Sequence, residues 1–442
     1  MRVCFWGTRG SIPTPGSSTL RYGGNTSCVE VQASDGTLVI LDCGTGAREL
    51  GRDLAVRLHP IQGHLLIGHT HWDHIQGFPF FAPLFNQDNT WNIYAPGDRG
   101  RQIEACLAGQ MAYEYFPITL QALHADVRLH ELQEGVFDLG SIRVTTQYLN
   151  HPALTLGYRL EADGAILVYA TDHEPHSLHP HAALPGEMPI HHEDRRHIQF
   201  LAGADLIIHD AQYVLDEFPA KAGWGHAPME RVVDYAILAQ AKQLALFHHD
   251  PDRDDETLDR LAEMAQTRAH AGLTSLQVLA AAEGQVIELG AARPLPRSAL
   301  ATGASALLAR SPRVARTVLV VDDDPDMVML LKATLEAESV RVLTATDGTA
   351  ALTIVREAKP SLVLLDMNLP ELDGLAVCRI LRAEPDTHLQ AMPIVILTGE
   401  KLKEADVIEA FASGATDYLT KPIKPTLVRT RIRAWLSRTS MA

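Results

Sequence analysis

The reading of this chain turns on residues 65 to 74, Leu65-Leu66-Ile67-Gly68-His69-Thr70-His71-Trp72-Asp73-His74. A short apolar strand runs into a loop carrying three histidines and an aspartate in six positions. Those residues are poor core material, but as metal chemistry they make sense. Alternate residues of an extended segment share a face, so His69 and His71 can bind one ion. Asp73 and His74, in the following turn, can bind another. Imidazole with carboxylate suits zinc, and also manganese or iron. Four residues do not complete two sites. His151 in Leu149-Asn150-His151-Pro152, Asp172 in Val168-Tyr169-Ala170-Thr171-Asp172, and His248 after Leu244-Ala245-Leu246-Phe247 each follow a predicted strand. All can therefore gather at one sheet edge. Two ions roughly 3.5–4 Å apart would activate water near neutral pH and clamp an anionic substrate.

Three further stretches accompany the histidine motif: Gly7-Thr8-Arg9-Gly10-Ser11-Ile12-Pro13, Gly24-Asn25-Thr26-Ser27 and Leu41-Asp42-Cys43-Gly44-Thr45-Gly46. With them, residues 1–290 resemble the metallo-β-lactamase superfamily. The nearer likeness is to its phosphodiesterase branch, which includes ribonuclease Z and small phosphodiesterases of phosphonate metabolism. The resemblance implies an αββα sandwich and a two-ion hydrolase. By motif it assigns His69, His71 and His151 to one ion, and Asp73, His74 and His248 to the other, with Asp172 bridging. It makes Asp73 catalytic as well. His226, in Gly225-His226-Ala227-Pro228-Met229-Glu230, matches an additional histidine that protonates the leaving group or contacts phosphate; a capping or surface histidine is the alternative. His249 is the alternative ligand to His248. Asp210 after Leu206-Ile207-Ile208-His209 either supports a ligand or is structural. One departure matters. Ribonuclease Z often carries a long tRNA-gripping arm between the positions of His151 and Asp172, and only twenty residues separate them here. They are filled by one predicted hairpin around Ala162-Asp163-Gly164. Segment 173–197 holds seven histidines broken by four prolines and reads as a solvated loop beside the metal centre, with a substrate lid or accessory metal tract as alternatives.

Beyond residue 315 the texture changes. Thr317-Val318-Leu319-Val320-Val321 is a continuous apolar run, as in a strand buried on both faces, and it ends in Asp322-Asp323-Asp324-Pro325. Further strands are predicted at Val340 to Ala345, Ser361 to Leu365, Pro393 to Leu397 and Thr416 to Leu419, with helical patterns between, which points to a parallel sheet. Ligands of such sheets lie at the carboxyl ends of the strands, here occupied by Asp322, Asp323, Asp366, Thr398 and Lys421. Three carboxylates with a lysine and a hydroxyl suit magnesium and leave one carboxylate free as a nucleophile for a phosphoryl group. In combination with Leu364-Leu365-Asp366-Met367-Asn368-Leu369-Pro370 and Tyr418-Leu419-Thr420-Lys421-Pro422, these residues resemble the response-regulator receiver family. That implies a flavodoxin-like doubly wound (βα)5 fold. It also makes Asp366 the phosphoryl acceptor, with magnesium on Asp322, Asp323, Asp366 and the Asn368 carbonyl, and Thr398, Tyr418 and Lys421 as switch residues.

Segment 291–315, rich in Ala, Ser, Pro and Arg, reads as a linker, partly helical near Ser305, between the hydrolase unit 1–290 and the receiver 316–442. The 442 residues suit two or three domains. A net charge of -16 without a basic tract disfavours nucleic-acid binding. Five scattered cysteines and no long apolar segment read as a cytoplasmic protein without a membrane span. The expected whole is an α/β two-domain phosphodiesterase. It acts on a cyclic nucleotide or other small phosphodiester and answers to a histidine kinase or phosphotransfer protein. An RNA endonuclease of the ribonuclease Z kind, an ester, lactone or thioester hydrolase, and a non-catalytic metal-binding scaffold are the competing readings. A homodimer is compatible with both resemblances.

Overall fold

Leu38-Val39-Ile40-Leu41 is apolar at every position, and all four side chains are buried. Leu38 and Ile40 join a cluster with Leu50 and Leu54 of the helix Ala47–Arg57. Val39 and Leu41 must then face the opposite way, since strand side chains alternate. The strand is covered on both sides, which is what an unbroken apolar run requires.

The computed structural model describes residues 1–57, 60–97, 102–176, 192–272, 274–290, 316–336, 340–399, 409–410, 412–423, 428, 432 and 435–436. The chain divides into two compact units, Met1–Ser305 and Ala306–Ala442. The predicted linker 291–315, with its helix near Ser305, lies outside the described residues.

In the first unit, β1 (Arg2–Gly7), β2 (Cys28–Gln32), β3 (Leu38–Leu41), β4 (Gln62–Leu66), β5 (Thr90–Pro96) and β6 (Asp126–Leu132) form one sheet. The second holds β7 (Gly135–Leu139), β8 (Ile142–Tyr148), β9 (Leu156–Ala162), β10 (Ala165–Ala170), β11 (Leu206–Asp210), β12 (Gln243–Phe247) and β13 (Gln277–Ala280). β14 (Val286–Glu288) returns to pair with β1, so the orders are β14-β1-β2-β3-β4-β5-β6 and β13-β12-β11-β10-β9-β8-β7. Pairing is parallel from β3 to β6 and from β10 to β13, and antiparallel elsewhere. The sheets face each other: the rings of Phe5 and Phe247 lie 6.1 Å apart, and the Tyr158 hydroxyl donates to the Ile67 carbonyl at 2.7 Å. Outside the second sheet, Val168, Ile207, Leu244 and Leu246 pack on Val232, Val233 and Ala236 of the helix Met229–Leu238 and on Leu258 and Ala265 of the helix Asp255–Ala271. The arrangement is the helix–sheet–sheet–helix sandwich. The predicted hairpin is present: β9 and β10 join through Asp163 and Gly164 at φ 55° and 70°, the left-handed pair a tight right-twisting turn needs.

In the second unit β15 (Thr317–Val321), β16 (Arg341–Ala345), β17 (Leu362–Asp366), β18 (Ile394–Thr398) and β19 (Asp417–Thr420) form an all-parallel sheet ordered β16-β15-β17-β18-β19. That is the flavodoxin-like order. Apolar clusters cover both faces: Leu319, Val321, Val363 and Leu365 on one, Val318, Val320, Leu362 and Leu364 on the other.

Candidate metal centre and phosphoacceptor site

The loop after β3 and the turn after β4 meet backbone to backbone. The Cys43 amide donates to the His74 carbonyl at 2.8 Å, and the Gly77 amide to the Cys43 carbonyl at 2.9 Å. A Cβ on Gly44 would stand 2.3 Å from the Asp73 carbonyl oxygen, so only glycine permits this approach. The motif is thereby held rigidly, with Trp72–Ile75 forming a single helical turn.

His71 Nδ1 and His151 Nε2 lie 3.2 Å apart, and the His69 ring sits beside both, its centroid 4.3 and 4.6 Å from theirs. On the other side, Asp73 Oδ2 is 3.0 Å from His248 Nε2 and 3.3 Å from His74 Nε2. Asp172 lies between the two groups. Its Oδ1 is 3.9 Å from His69 Nε2 and 3.8 Å from His151 Nε2; its Oδ2 is 3.2 Å from His74 Nε2 and 3.5 Å from His248 Nε2. Within His69/His71/His151, and within Asp73/His74/His248, the donor atoms lie within 4.8 Å of one another. Among the described residues neither nitrogen of the buried His69 ring has a hydrogen-bond partner. A fully buried imidazole left orphaned beside four other ligand-type side chains fits a divalent ion, because buried polar groups otherwise find partners.

The outward nitrogens are fixed by neighbours, as in metal-binding histidines generally. His74 Nδ1 lies 2.7 Å from Asp42 Oδ2, His151 Nδ1 3.0 Å from the Gly225 carbonyl, and His248 Nδ1 3.0 Å from Gln212 Oε1. Asp42 also accepts from the Tyr169 hydroxyl at 2.6 Å and the Gly68 amide at 2.7 Å. Asp42, Asp172 and His248 each follow a strand and each take positive φ, 60°, 64° and 55°. Non-glycine residues adopt that conformation uncommonly, and three of them gathered at one cluster mark it as a candidate functional site.

Burial drives His69 below the ordinary histidine range and His151 down to about 3, and partial desolvation lowers the surface-exposed His71 in the same sense, which favours the neutral, ligating form of these rings. Burial acts on His74 and His248 in the same sense, but the carboxylates outweigh it. Asp73, Asp172 and Asp42 raise His74, and Asp172 and Asp73 raise His248. Asp73 and Asp172 stay well below the carboxylate range despite burial, held there by those histidines.

His226 reaches the centre too. Its Nδ1 lies 3.7 Å from Asp172 Oδ1 and 3.3 Å from Asp210 Oδ2, and its ring stacks on His248 at 4.9 Å. Asp210 further accepts from the Ala227 amide at 3.0 Å and the His173 amide at 3.2 Å, so it orients His226. His249 turns away, with Nε2 2.9 Å from the Ala281 carbonyl. Sequence reasoning gave no role to Asp42, Gln212 or the Ser11 amide, which donates to Asp73 Oδ2 at 2.7 Å. The signal for Asp42 was present: a carboxylate directly after a wholly apolar strand.

The histidine-rich segment needs correction. Residues 192–197 open the helix His192–Leu201 and are not a loop. His173 and His197 are not solvated: they are buried, stacked at 3.8 Å, with His197 Nε2 3.0 Å from His209 Nε2. An amphipathic helix that buries Phe200 and Leu201 carries His197 inward with them. His179, His181 and His191 lie outside the described residues.

In the second unit, Asp322, Asp366, Thr398 and Lys421 meet at the carboxyl ends of β15, β17, β18 and β19. Lys421 Nζ lies 2.8 Å from both Asp322 Oδ2 and Asp366 Oδ1, and the Asn368 amide donates to Asp366 Oδ2 at 3.1 Å. Burial raises the Asp366 carboxyl, with Lys421 opposing it. Asp323 is exposed beside this group, and Tyr418 packs against the apolar cluster behind it.

Residues 37–249 match the family described as beta-lactamase superfamily domain, and residues 318–433 the response regulator receiver domain. The chain joins a metallo-β-lactamase-fold domain to a receiver domain. The receiver is 46% identical over 121 residues to the DNA-binding response regulator MtrA of Mycolicibacterium smegmatis, covering 27% of this chain and 50% of that protein. The chain thus spans about half the length of the curated relatives it matches. The metallo-β-lactamase fold protein YhfI from Bacillus subtilis is similar over 65% of this chain and 98% of its own, at 21% identity and a TM-score of 0.47. The short form of human tRNase Z covers the same 65% and 99% of itself, at 19% identity and a TM-score of 0.44. No helix among the described residues is long and apolar enough to cross a membrane.

Proposed function

We propose that residues 1–290 form a two-ion phosphodiesterase acting on a cyclic nucleotide or another small phosphodiester. Residues 316–442, joined through the linker 291–315, would regulate it as a receiver phosphorylated on Asp366 by a histidine kinase or phosphotransfer protein. The observation that carries the reading is the Asp172 carboxylate, whose two oxygens face two separate ligand groups. His69, His71 and His151 would hold one ion, Asp73, His74 and His248 the other, and Asp172 both; zinc suits the donors, with manganese or iron as substitutes. Such a pair lowers the pKa of bound water towards neutrality and neutralises phosphoryl oxygens.

The chain's own groups do the rest. Asp73, oriented by the Ser11 amide and His248, accepts the proton of the attacking water. His226 is braced through Nδ1 by Asp210 and delivers a proton to the leaving oxygen. In the receiver, Lys421 offsets phosphoryl charge on Asp366 and Thr398 bonds a phosphoryl oxygen, while Asp322, Asp323, Asp366 and the Asn368 carbonyl would hold magnesium.

The test is hydrolysis of bis-p-nitrophenyl phosphate and of cyclic nucleotides by metal-loaded protein, beside ester and thioester substrates. Turnover of phosphodiesters that EDTA, His69→Ala or Asp73→Ala abolishes is the expected result. Turnover confined to esters or thioesters overturns the phosphodiester assignment. Bound ions without any hydrolysis would leave a metal-binding scaffold.

A further inference from the structure

Of the chain's five tryptophans, Trp91 and Trp435 are buried and Trp6 is partly buried. Trp72 and Trp224 are 69% and 59% exposed. Burying an indole is among the larger apolar gains a side chain can make, so two indoles left in water need a reason. Both are next in the chain to residues of the candidate metal centre. Trp72 lies between His71 and Asp73 on the rigid turn described above. Trp224 precedes Gly225, whose carbonyl is 3.0 Å from His151 Nδ1. His71 and His151 are themselves 3.2 Å apart, so the two indoles spring from supports on the same ligand pair.

Neither support is a loose loop. The strap 223–225 is gripped by the buried Glu174, whose carboxylate accepts from the Gly223 amide at 2.9 Å and the Gly225 amide at 2.8 Å. Gly223 and Gly225 take φ of 85° and 91°, and a Cβ on Gly225 would stand 2.2 Å from His151 Nδ1. The strap is thus built to lie close against a ligand while projecting the one large side chain between its glycines. Lys221 Nζ lies 4.5 Å over the Trp224 ring and 5.5 Å over the Tyr213 ring. This cation–π contact fixes the indole and places a positive charge beside it.

We infer that Trp72 and Trp224 form a stacking subsite for the nucleobase of a nucleoside phosphate whose phosphate lies on the metal centre. A pre-ordered indole offers a flat π-face at little entropic cost, and stacking tolerates any base. This rests on the phosphodiesterase reading above and names the part of the substrate that reading leaves open.

Calorimetric titration of the metal-loaded full chain with adenosine 5′-monophosphate and with ribose 5-phosphate tests it. The two ligands share the ribose 5-phosphate part, and the second carries an anomeric hydroxyl where the first carries the base. Adenosine 5′-monophosphate is expected to bind at least about fivefold more tightly, since a stacked base is worth on the order of 1–3 kcal/mol. Trp72→Ala and Trp224→Ala should each shrink that ratio, and Trp224→Phe should restore most of it. Both positions are exposed, so the variants should fold. Equal affinity for the two ligands, or a ratio unmoved by either alanine, overturns the subsite while leaving the phosphodiesterase reading standing. Binding of neither ligand likewise overturns the subsite, while hydrolysis of bis-p-nitrophenyl phosphate decides the phosphodiesterase reading separately.

Discussion

Asp42 braces the proposed metal centre without being one of its proposed ligands. Its carboxylate fixes His74 Nδ1, the Tyr169 hydroxyl and the Gly68 amide together, so His74 presents Nε2 inward. Asp42→Asn keeps the size but puts an amide where three donors converge. It should weaken binding of the second ion by about 10–100-fold, read by competition with a metal indicator; unchanged affinity would contradict the role given to Asp42. The raised His74 and His248 make a second prediction. In the ion-free protein both keep their protons to higher pH than an ordinary histidine of about 6.5. Ion binding must expel those protons, so affinity should rise with pH through and above that range. Calorimetry in buffers of different ionisation enthalpy would show protons released on binding; no release would mean these rings do not ligate.

At the scale of elements, the strand-end residues were legible. Buried parallel strands are unbroken apolar runs, and a His or Asp at or within three residues of the end of one stands out, as at His69, Asp172, His248 and Asp366. The edges were not legible. β6 (Asp-Val-Arg-Leu-His-Glu-Leu) is the last strand of its sheet and mostly part-exposed, so charge dilutes its apolar signal. The helix His192–Leu201 was hidden because histidines and prolines before it suggested solvent, while its burial comes from tertiary packing that composition does not encode. Trp72 and Trp224 could be read as letters but not as exposed surfaces, which only the folded supports decide. The backbone contact between the β3 loop and the histidine turn gives a prediction of its own. Gly44→Ala would force the Asp73 carbonyl away, at a cost of roughly 1–3 kcal/mol. It should lower Tm and the second ion's affinity together; a variant with wild-type Tm and metal content would show that the turn can yield freely.

For the whole molecule, the combination of domains carries the argument. A metal centre alone speaks for hydrolysis, and an Asp322/Asp366/Lys421 constellation alone speaks for phosphorylation. In one chain, the first is proposed as the output of the second. The decisive measurement is hydrolysis of bis-p-nitrophenyl phosphate and cyclic nucleotides by the metal-loaded full chain, with and without acetyl phosphate and magnesium, alongside Asp366→Ala. The account predicts a phosphodiesterase rate that changes severalfold with the phosphodonor in the wild type and not in Asp366→Ala. A rate indifferent to the phosphodonor, while Asp366 is demonstrably phosphorylated, would contradict it.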